Sequence, residues 1–201
     1  LEYLGTDPND YIENGYSKNT NEEENDWSDL FDLTNVLDNS SDSNYVEEVY
    51  RVLDVDQWLR WFAVHNLIGN DETNLGTGRG DDYRMYSGVE DPRFILIAHD
   101  LDSVFVDSRV GDSIFRAADA HYLPVIERFL LHPAFKWRYC DAVREVLNGV
   151  FSPERLNPLI DQILGGVVDE SVVADMKSFA VQRAEIVRAE LESIEEAFAI
   201  E

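Results

Sequence analysis

The chain is poor in positive charge: 16 Lys and Arg stand against 41 Asp and Glu in 201 residues, a formal charge of −25. Such a surplus repels a nucleic-acid backbone or an anionic membrane surface, so neither is expected as a main partner. Cysteine is almost absent. The single Cys140 excludes an internal disulfide framework and any cysteine-based zinc site. No apolar run reaches the roughly 18 residues that a membrane span needs, and no signal-peptide pattern opens the chain. The first residue is Leu1 rather than Met, so a targeting segment upstream is expected. What is present suffices to fold: 44% hydrophobic residues supply a core and separate the chain from disordered acidic tails. The length suits one ordinary domain or a large lobe of a bigger protein.

The charge is uneven. Residues 1–50 hold fourteen acids and one base, Lys18, in a lead rich in Asn, Ser, Asp and Tyr with turn signals at Asp7-Pro8-Asn9 and Asn39-Ser40-Ser41. Within it Trp27, Leu30, Phe31, Leu33, Val36 and Leu37 recur at helical spacing and predict a helix from about Glu23 to Leu37. Its acidic start, Glu22-Glu23-Glu24, suits the positive end of a helix dipole, and a solvated helix start is preferred there over a calcium site.

Further helices are expected over Asn44 to Leu53 and from Val55 to about Gly69, the second carrying Trp58, Leu59, Phe62 and Leu67 on one face. The texture then changes. Asn70 to Asp82 holds three Gly, two Asn and four acids in thirteen residues with almost nothing to bury, and reads as a loop. Tyr83 to Tyr86 and Phe94 to Ala98 flank the turn signals Ser87 to Pro92 and predict a β-hairpin that ends at His99-Asp100-Leu101-Asp102. From Leu123 onward the pattern is helical: one helix from Pro124, one from Pro133 to near Gly149, one from Pro153 to Gly165-Gly166, and a last from about Lys177 to Phe198. The fold expectation is α+β, mainly helical. Residues 1–50 form the acidic lead, 51–105 the segment bearing the chemistry, and 106–201 a helical bundle.

A turn centred near Asp91 makes antiparallel partners sum to about 182 and sets Asp82 opposite Asp100, some 5 Å apart. Two carboxylates that close repel unless a proton or a cation lies between them, and Mg²⁺ or Mn²⁺ is the natural oxygen-seeking bridge. Asp102 can add an oxygen if the chain stays extended, and Asp71 can reach the same mouth as a base. A one-residue slip would turn one carboxylate to the other face. In a chain with 41 acids, an acidic loop and one Asp-x-Asp also arise by chance. His65 reads as a packing residue inside a helix, and Cys140 as buried beside Tyr139. His99 suits a strand end as well as a site. Gly76-Thr77-Gly78-Arg79-Gly80 lacks the Lys-Ser/Thr and the strand-to-helix setting of a phosphate loop.

These residues also carry a family resemblance. The segments LEYLGTDPNDY, KNTNEEENDWSDL, LDVDQWLRWFAVHNLIGND, DYRMY, AHDLDSVF, HPAFKWRY and MKSFAVQRAEIVRAEL follow, nearly end to end, the order of the CotH-type family, the spore-coat-associated atypical protein kinases. The family's Asp after the leucine-rich helix maps onto Asp71. Its Asn-Tyr-Tyr-Leu-Tyr strand maps onto Asp82 to Tyr86, and its Trp-Asp-x-Asp onto His99 to Asp102.

The resemblance implies a lobe like the larger, carboxy-terminal lobe of kinases, and transfer of phosphoryl from ATP with Mg²⁺ or Mn²⁺ to a Ser/Thr hydroxyl of a protein. Such chemistry is mostly positioning and charge neutralisation. It implies Asp71 as catalytic acid-base, Asp100 and Asp82 as metal ligands, Asp102 as a supporting metal-site acid, and Asn70, Asn74 and His99 as secondary candidates. Asp82 stands where the family has Asn, and the loop before it is longer than usual. Only Lys18 precedes the site, so the nucleotide-covering lobe with its lysine is expected before Leu1, in a multidomain, secreted or cell-surface protein. A kinase-like scaffold without turnover, and an acidic domain that collects Ca²⁺, are the rival readings.

Overall fold

The computed structural model describes residues 1–72, 74–77 and 82–200, with Asn74 and residues 198–200 described by backbone alone. Asp7 caps a short helix α1 (Pro8–Glu13) by accepting the Asn9 N–H at 2.9 Å, with Pro8 opening the helix. Sequence periodicity marks only a turn there, because one and a half turns carry too little pattern. Helix α2 (Ser28–Asn39) starts later than expected. Asn25 has φ 45°, a left-handed conformation that no helix can continue through, and the Asp26 carboxylate accepts the Ser28 N–H at 2.9 Å. The acidic run Glu22 to Glu24 therefore lies ahead of the helix.

Helix α3 (Tyr45–Val52) packs on α2, and Leu33, Leu37, Tyr45 and Val49 are fully buried. Tyr11 of α1 joins them, its ring centroid 5.2 Å from that of Phe31 and its hydroxyl 2.9 Å from Thr34 Oγ1. Phe94 pairs with the end of α3: its N–H donates to Val52 O at 2.7 Å and its carbonyl accepts from Asp54 N at 3.1 Å. These elements belong to one compact unit, residues 1–55 with 85–95.

The second unit comprises residues 56–84 with 96–201. Helix α4 (Val55–Leu67) buries Trp58, Leu59, Phe62 and Leu67 on one stripe, as its i, i+3/i+4 spacing predicts. The expected structureless loop contains one helical turn, α5 (Asn74–Thr77). Leu75 is fully buried there, and a Cβ added at Gly76 would lie 3.7 Å from the His65 Cβ. A single apolar side chain beside a glycine that allows close approach escapes any periodicity test.

Strands β1 (Arg84–Tyr86) and β2 (Ile95–Ile97) form the expected antiparallel hairpin, its turn closed by Gly88 N–H to Asp91 O at 3.1 Å. Both strands are shorter than predicted. Phe94 is diverted to its bridge with Leu53, and Asp82 and Asp100 leave the β region with φ 47° and 46°. Gln57 of α4 stands in for a third strand, exchanging two hydrogen bonds with the Leu96 backbone at 2.7 and 2.9 Å.

A 3₁₀ turn (Asp107–Arg109) and α6 (Arg116–Asp119) precede α7 (Pro124–Leu131), α8 (Pro133–Asn148), α9 (Pro153–Leu164) and α10 (Glu170–Ile200). Proline opens α7, α8 and α9, as predicted. Helix α10 starts well before Lys177, where the Asp169 carbonyl accepts from Val172 N and Val173 N. The chain is a mainly helical α+β protein, and among the described residues no helix is long and apolar enough to cross a membrane.

Candidate catalytic site

The site begins where α4 stops. Gly69 takes φ +58° and lies so close to Phe179 that a Cβ would meet its ring at 2.6 Å. Only glycine suits both demands. Asn70 follows, buried, with its Nδ2 donating to His65 Nδ1 at 2.9 Å and its Oδ1 accepting from Glu72 N at 2.9 Å. That pairing puts the His65 proton on Nε2. His65 is a packing residue, as expected: 4% exposed, stacked on Trp61 at 3.9 Å between centroids, its pKa lowered to about 4 by burial. Cys140 is likewise buried, and burial pushes its thiol up to about 11.

Asp71 N donates to Ser103 O at 2.9 Å, and Phe105 N to Ile68 O at 2.6 Å. These two bonds lay residues 103–105 alongside the end of α4. The backbone of Asp71 is thereby next to the residue that follows Asp102. The Asp82–Asp100 pairing expected from cross-strand spacing is not formed by strand geometry. The strand spans centre the hairpin between Glu90 and Asp91, earlier than predicted, and the left-handed φ of both residues ends the ladder before it reaches them. Asp82, Asp100 and Asp102 are exposed, His99 is half-buried, and Ser103 Oγ lies 3.4 Å from Asp102 Oδ1. The Asn74 side chain and Gly78 to Asp81 lie outside the described residues.

Among the described residues no three His, Cys, Asp or Glu side chains converge to hold a metal ion. That does not disqualify the carboxylates for magnesium chemistry, because Mg²⁺ at nucleotide sites is usually held by one or two carboxylates together with phosphate oxygens and water. The exposed Asp-x-Asp offers donors of that kind.

The structure surrounds Asp71 with cations that the sequence reading did not single out. Asp71 Oδ1 lies 2.6 Å from an Arg109 Nη and accepts from an Arg116 Nη at 2.9 Å. Asp112 faces the same two guanidiniums, at 3.7 Å from Arg109 and 3.1 Å from Arg116. Arg116 also donates to Asn70 O at 3.3 Å. Its pKa is lowered chiefly by burial, with Asp112 acting in the opposite direction.

The segment bearing these arginines is tied down from behind. Arg183, fully buried on α10, donates to Val110 O, Asp112 O and Asn66 Oδ1. Glu190 accepts from Ser113 Oγ at 2.9 Å and from Ile114 N at 3.0 Å. Asn66 Nδ2 donates to Ser113 O at 2.9 Å, and the Tyr139 hydroxyl to Ile114 O at 2.6 Å. One signal was available in the sequence: Arg183 is a charge on the buried stripe that runs from Phe179 to Val187. A polar cleft of about 330 Å³ opens beside the network, lined among others by Thr77, Arg109, Ser113, Arg116 and Tyr122.

In this mainly helical α+β chain two arginines hold an aspartate just past a helix end, beside a polar cleft. Residues 1–193 match the family described as CotH kinase protein, and the chain belongs to that family. No curated protein matches it.

Proposed function

We propose that the chain is the acid-bearing, carboxy-terminal lobe of a kinase that passes the γ-phosphoryl group of ATP to a Ser or Thr hydroxyl of a protein. The observation that supports this reading is the Asp71 N–Ser103 O bond, which ties the backbone of the candidate base to that of the residue after the Asp-x-Asp. In the step, the acceptor oxygen bonds to the γ-phosphorus and the bond to the β–γ bridging oxygen breaks. The hydroxyl proton goes to the Asp71 carboxylate, and ADP leaves. Asp100 would hold Mg²⁺ or Mn²⁺, with Asp82 as a second ligand, Asp102 in support, and Asn70, Asn74 and His99 as auxiliary groups. The metal would neutralise the phosphates and fix their orientation. This reading takes the chain as part of a multidomain protein at the cell surface or exterior.

A second reading has its own support. The Asp71 carboxylate is engaged by two guanidiniums, as in a purely structural ion pair, and this favours a kinase-like scaffold without turnover. Full-length protein with labelled ATP, Mn²⁺ and a Ser-containing acceptor separates the two. Transfer is expected, falling at least about 100-fold in Asp100→Ala. No transfer, or equal rates in wild type and variant, refutes the enzyme.

A further inference from the structure

We propose that Arg116, assisted by Arg109, is a positioning residue that holds the Asp71 carboxylate in its working rotamer. The inference rests on the kinase reading above and adds to it a device for aiming the base. Both guanidinium contacts fall on Oδ1, and among the described residues Oδ2 makes no hydrogen bond. Asp71 is therefore gripped by one oxygen, and the other is left for an incoming hydroxyl. A carboxylate at a helix end would otherwise sample several rotamers, and a group misplaced by about 1 Å can cost on the order of 100-fold in rate.

The ordinary alternative is that the four-membered network of Asp71, Arg109, Asp112 and Arg116 merely staples residues 107–119 to the end of α4. The surrounding bonds argue against that. Arg183, Glu190, Asn66 and Tyr139 already fix the backbone of Val110, Asp112, Ser113 and Ile114, so the segment is anchored without Arg109 or Arg116. What those two side chains add is directed forward. Arg116 reaches both Asn70 O and Asp71 Oδ1, and its side chain is only 14% exposed. Burying a guanidinium that deeply is unfavourable unless its acceptors are well placed. Asp112 Oδ2 lies 3.1 Å from Arg116 Nε and 3.7 Å from Arg109 Nη1. A planar fork suits this task, because several N–H groups can bridge two acceptors in fixed geometry where an ammonium is a point charge.

The test is a double-mutant cycle in the full-length protein, with Mn²⁺–ATP and a Ser-containing acceptor, comparing Arg116→Gln, Asp71→Asn and the pair. Arg116→Gln is expected to lower kcat roughly 10- to 100-fold, with KM for nucleotide and acceptor within about twofold. Arg116→Lys is expected to restore only part of the loss. In the Asp71→Asn background, Arg116→Gln should change kcat by less than about twofold, because the group that it positions is gone. Arg109→Gln, on the more exposed arm, should show the same pattern, and it decides the matter if Arg116→Gln fails to fold. Multiplying losses in the double variant would assign the arginines an independent role, such as a phosphate contact, and overturn the inference. So would a rise in KM at constant kcat, or an unchanged kcat. An inactive wild type overturns the kinase reading and the inference together, whereas an active wild type with additive variants overturns the inference alone.

Discussion

Arg183 is the most deeply buried charge among the described residues, and replacing it by methionine probes what fixes the segment behind the site. Its side chain has no exposed surface, and Nη1 and Nη2 donate to Val110 O at 3.0 Å, to Asp112 O, and to Asn66 Oδ1 at 2.5 Å. Nε is buried without a hydrogen-bond partner, so only the Nη bonds are at stake. Burial lowers the pKa of the guanidinium, while Glu190 acts to raise it. Two effects oppose each other in Arg183→Met. Removing a desolvated cation relieves a penalty of several kcal/mol. Against this, each orphaned buried acceptor costs about 1–3 kcal/mol, and charge-assisted bonds are the stronger kind. Three acceptors lose their donor together and the substitution supplies no replacement, so the loss prevails.

We expect a net destabilisation of about 3 kcal/mol, seen in urea denaturation followed by circular dichroism as a lower midpoint at unchanged slope. For a chain of this size that corresponds to a fall in Tm of roughly 6–12 °C. Buried charges can be replaced at no cost when every partner is made apolar with them, but here only one side changes. A shift below about 0.5 kcal/mol, or a gain, would show that the three carbonyls find other donors and would refute the anchoring role.

Two further outcomes test the end of α4. Folded His65 binds its proton more weakly, near pH 4, than the ordinary 6.5 of the unfolded chain. As pH falls the unfolded state takes up that proton first, so stability declines between about pH 6.5 and 4, by up to roughly 3 kcal/mol, and this contribution then levels off. His65→Gln keeps an acceptor for Asn70 and should lose that step. Urea denaturation at pH 7 and 4.5 measures it, and identical pH dependence in both proteins would refute the assignment. Gly69→Ala meets both the +58° φ and the Phe179 ring, and should cost about 2–3 kcal/mol. An unchanged Tm would refute it.

The long helices were legible because their stripes are long. Trp58, Leu59, Phe62 and Leu67 repeat often enough to place α4, and the prolines at 124, 133 and 153 mark the starts of α7, α8 and α9. Short elements failed for the same reason in reverse: α1 and α5 are too brief to show a period. The boundary of α2 depended on the backbone at Asn25, which no apolar pattern encodes. At the site, the hairpin was visible in its aromatic and β-branched runs, but its register was not. Whether Asp82 and Asp100 extend the strands depends on φ at those two residues and on Phe94 choosing Leu53 as its partner. Asp71 was singled out from its place at the start of the loop. Its arginine partners were not, because Arg109 and Arg116 come from a stretch with no periodic pattern and meet it across more than thirty residues of chain.

In so acidic a chain the burial of a positive charge says more than its pairing. With 41 acids and 16 bases, almost any arginine can find a carboxylate at the surface. Pairs such as Arg60–Glu145, exposed on both sides, contribute little to stability and carry no information about a site. Arg116 and Arg183 are different, since Arg183 is fully buried and Arg116 half-buried, and each carries a pKa lowered by that burial. Burial is unfavourable for the scarce charge when exposed partners are plentiful, so it persists only where the acceptors are fixed by the fold. Those acceptors are the backbone of residues 110 and 112, Asn66 at the end of α4, and Asn70 with Asp71 just beyond it. The abundant acids exclude partners, whereas Arg116 points to the Asp71 carboxylate and Arg183 to the backbone of the segment behind it.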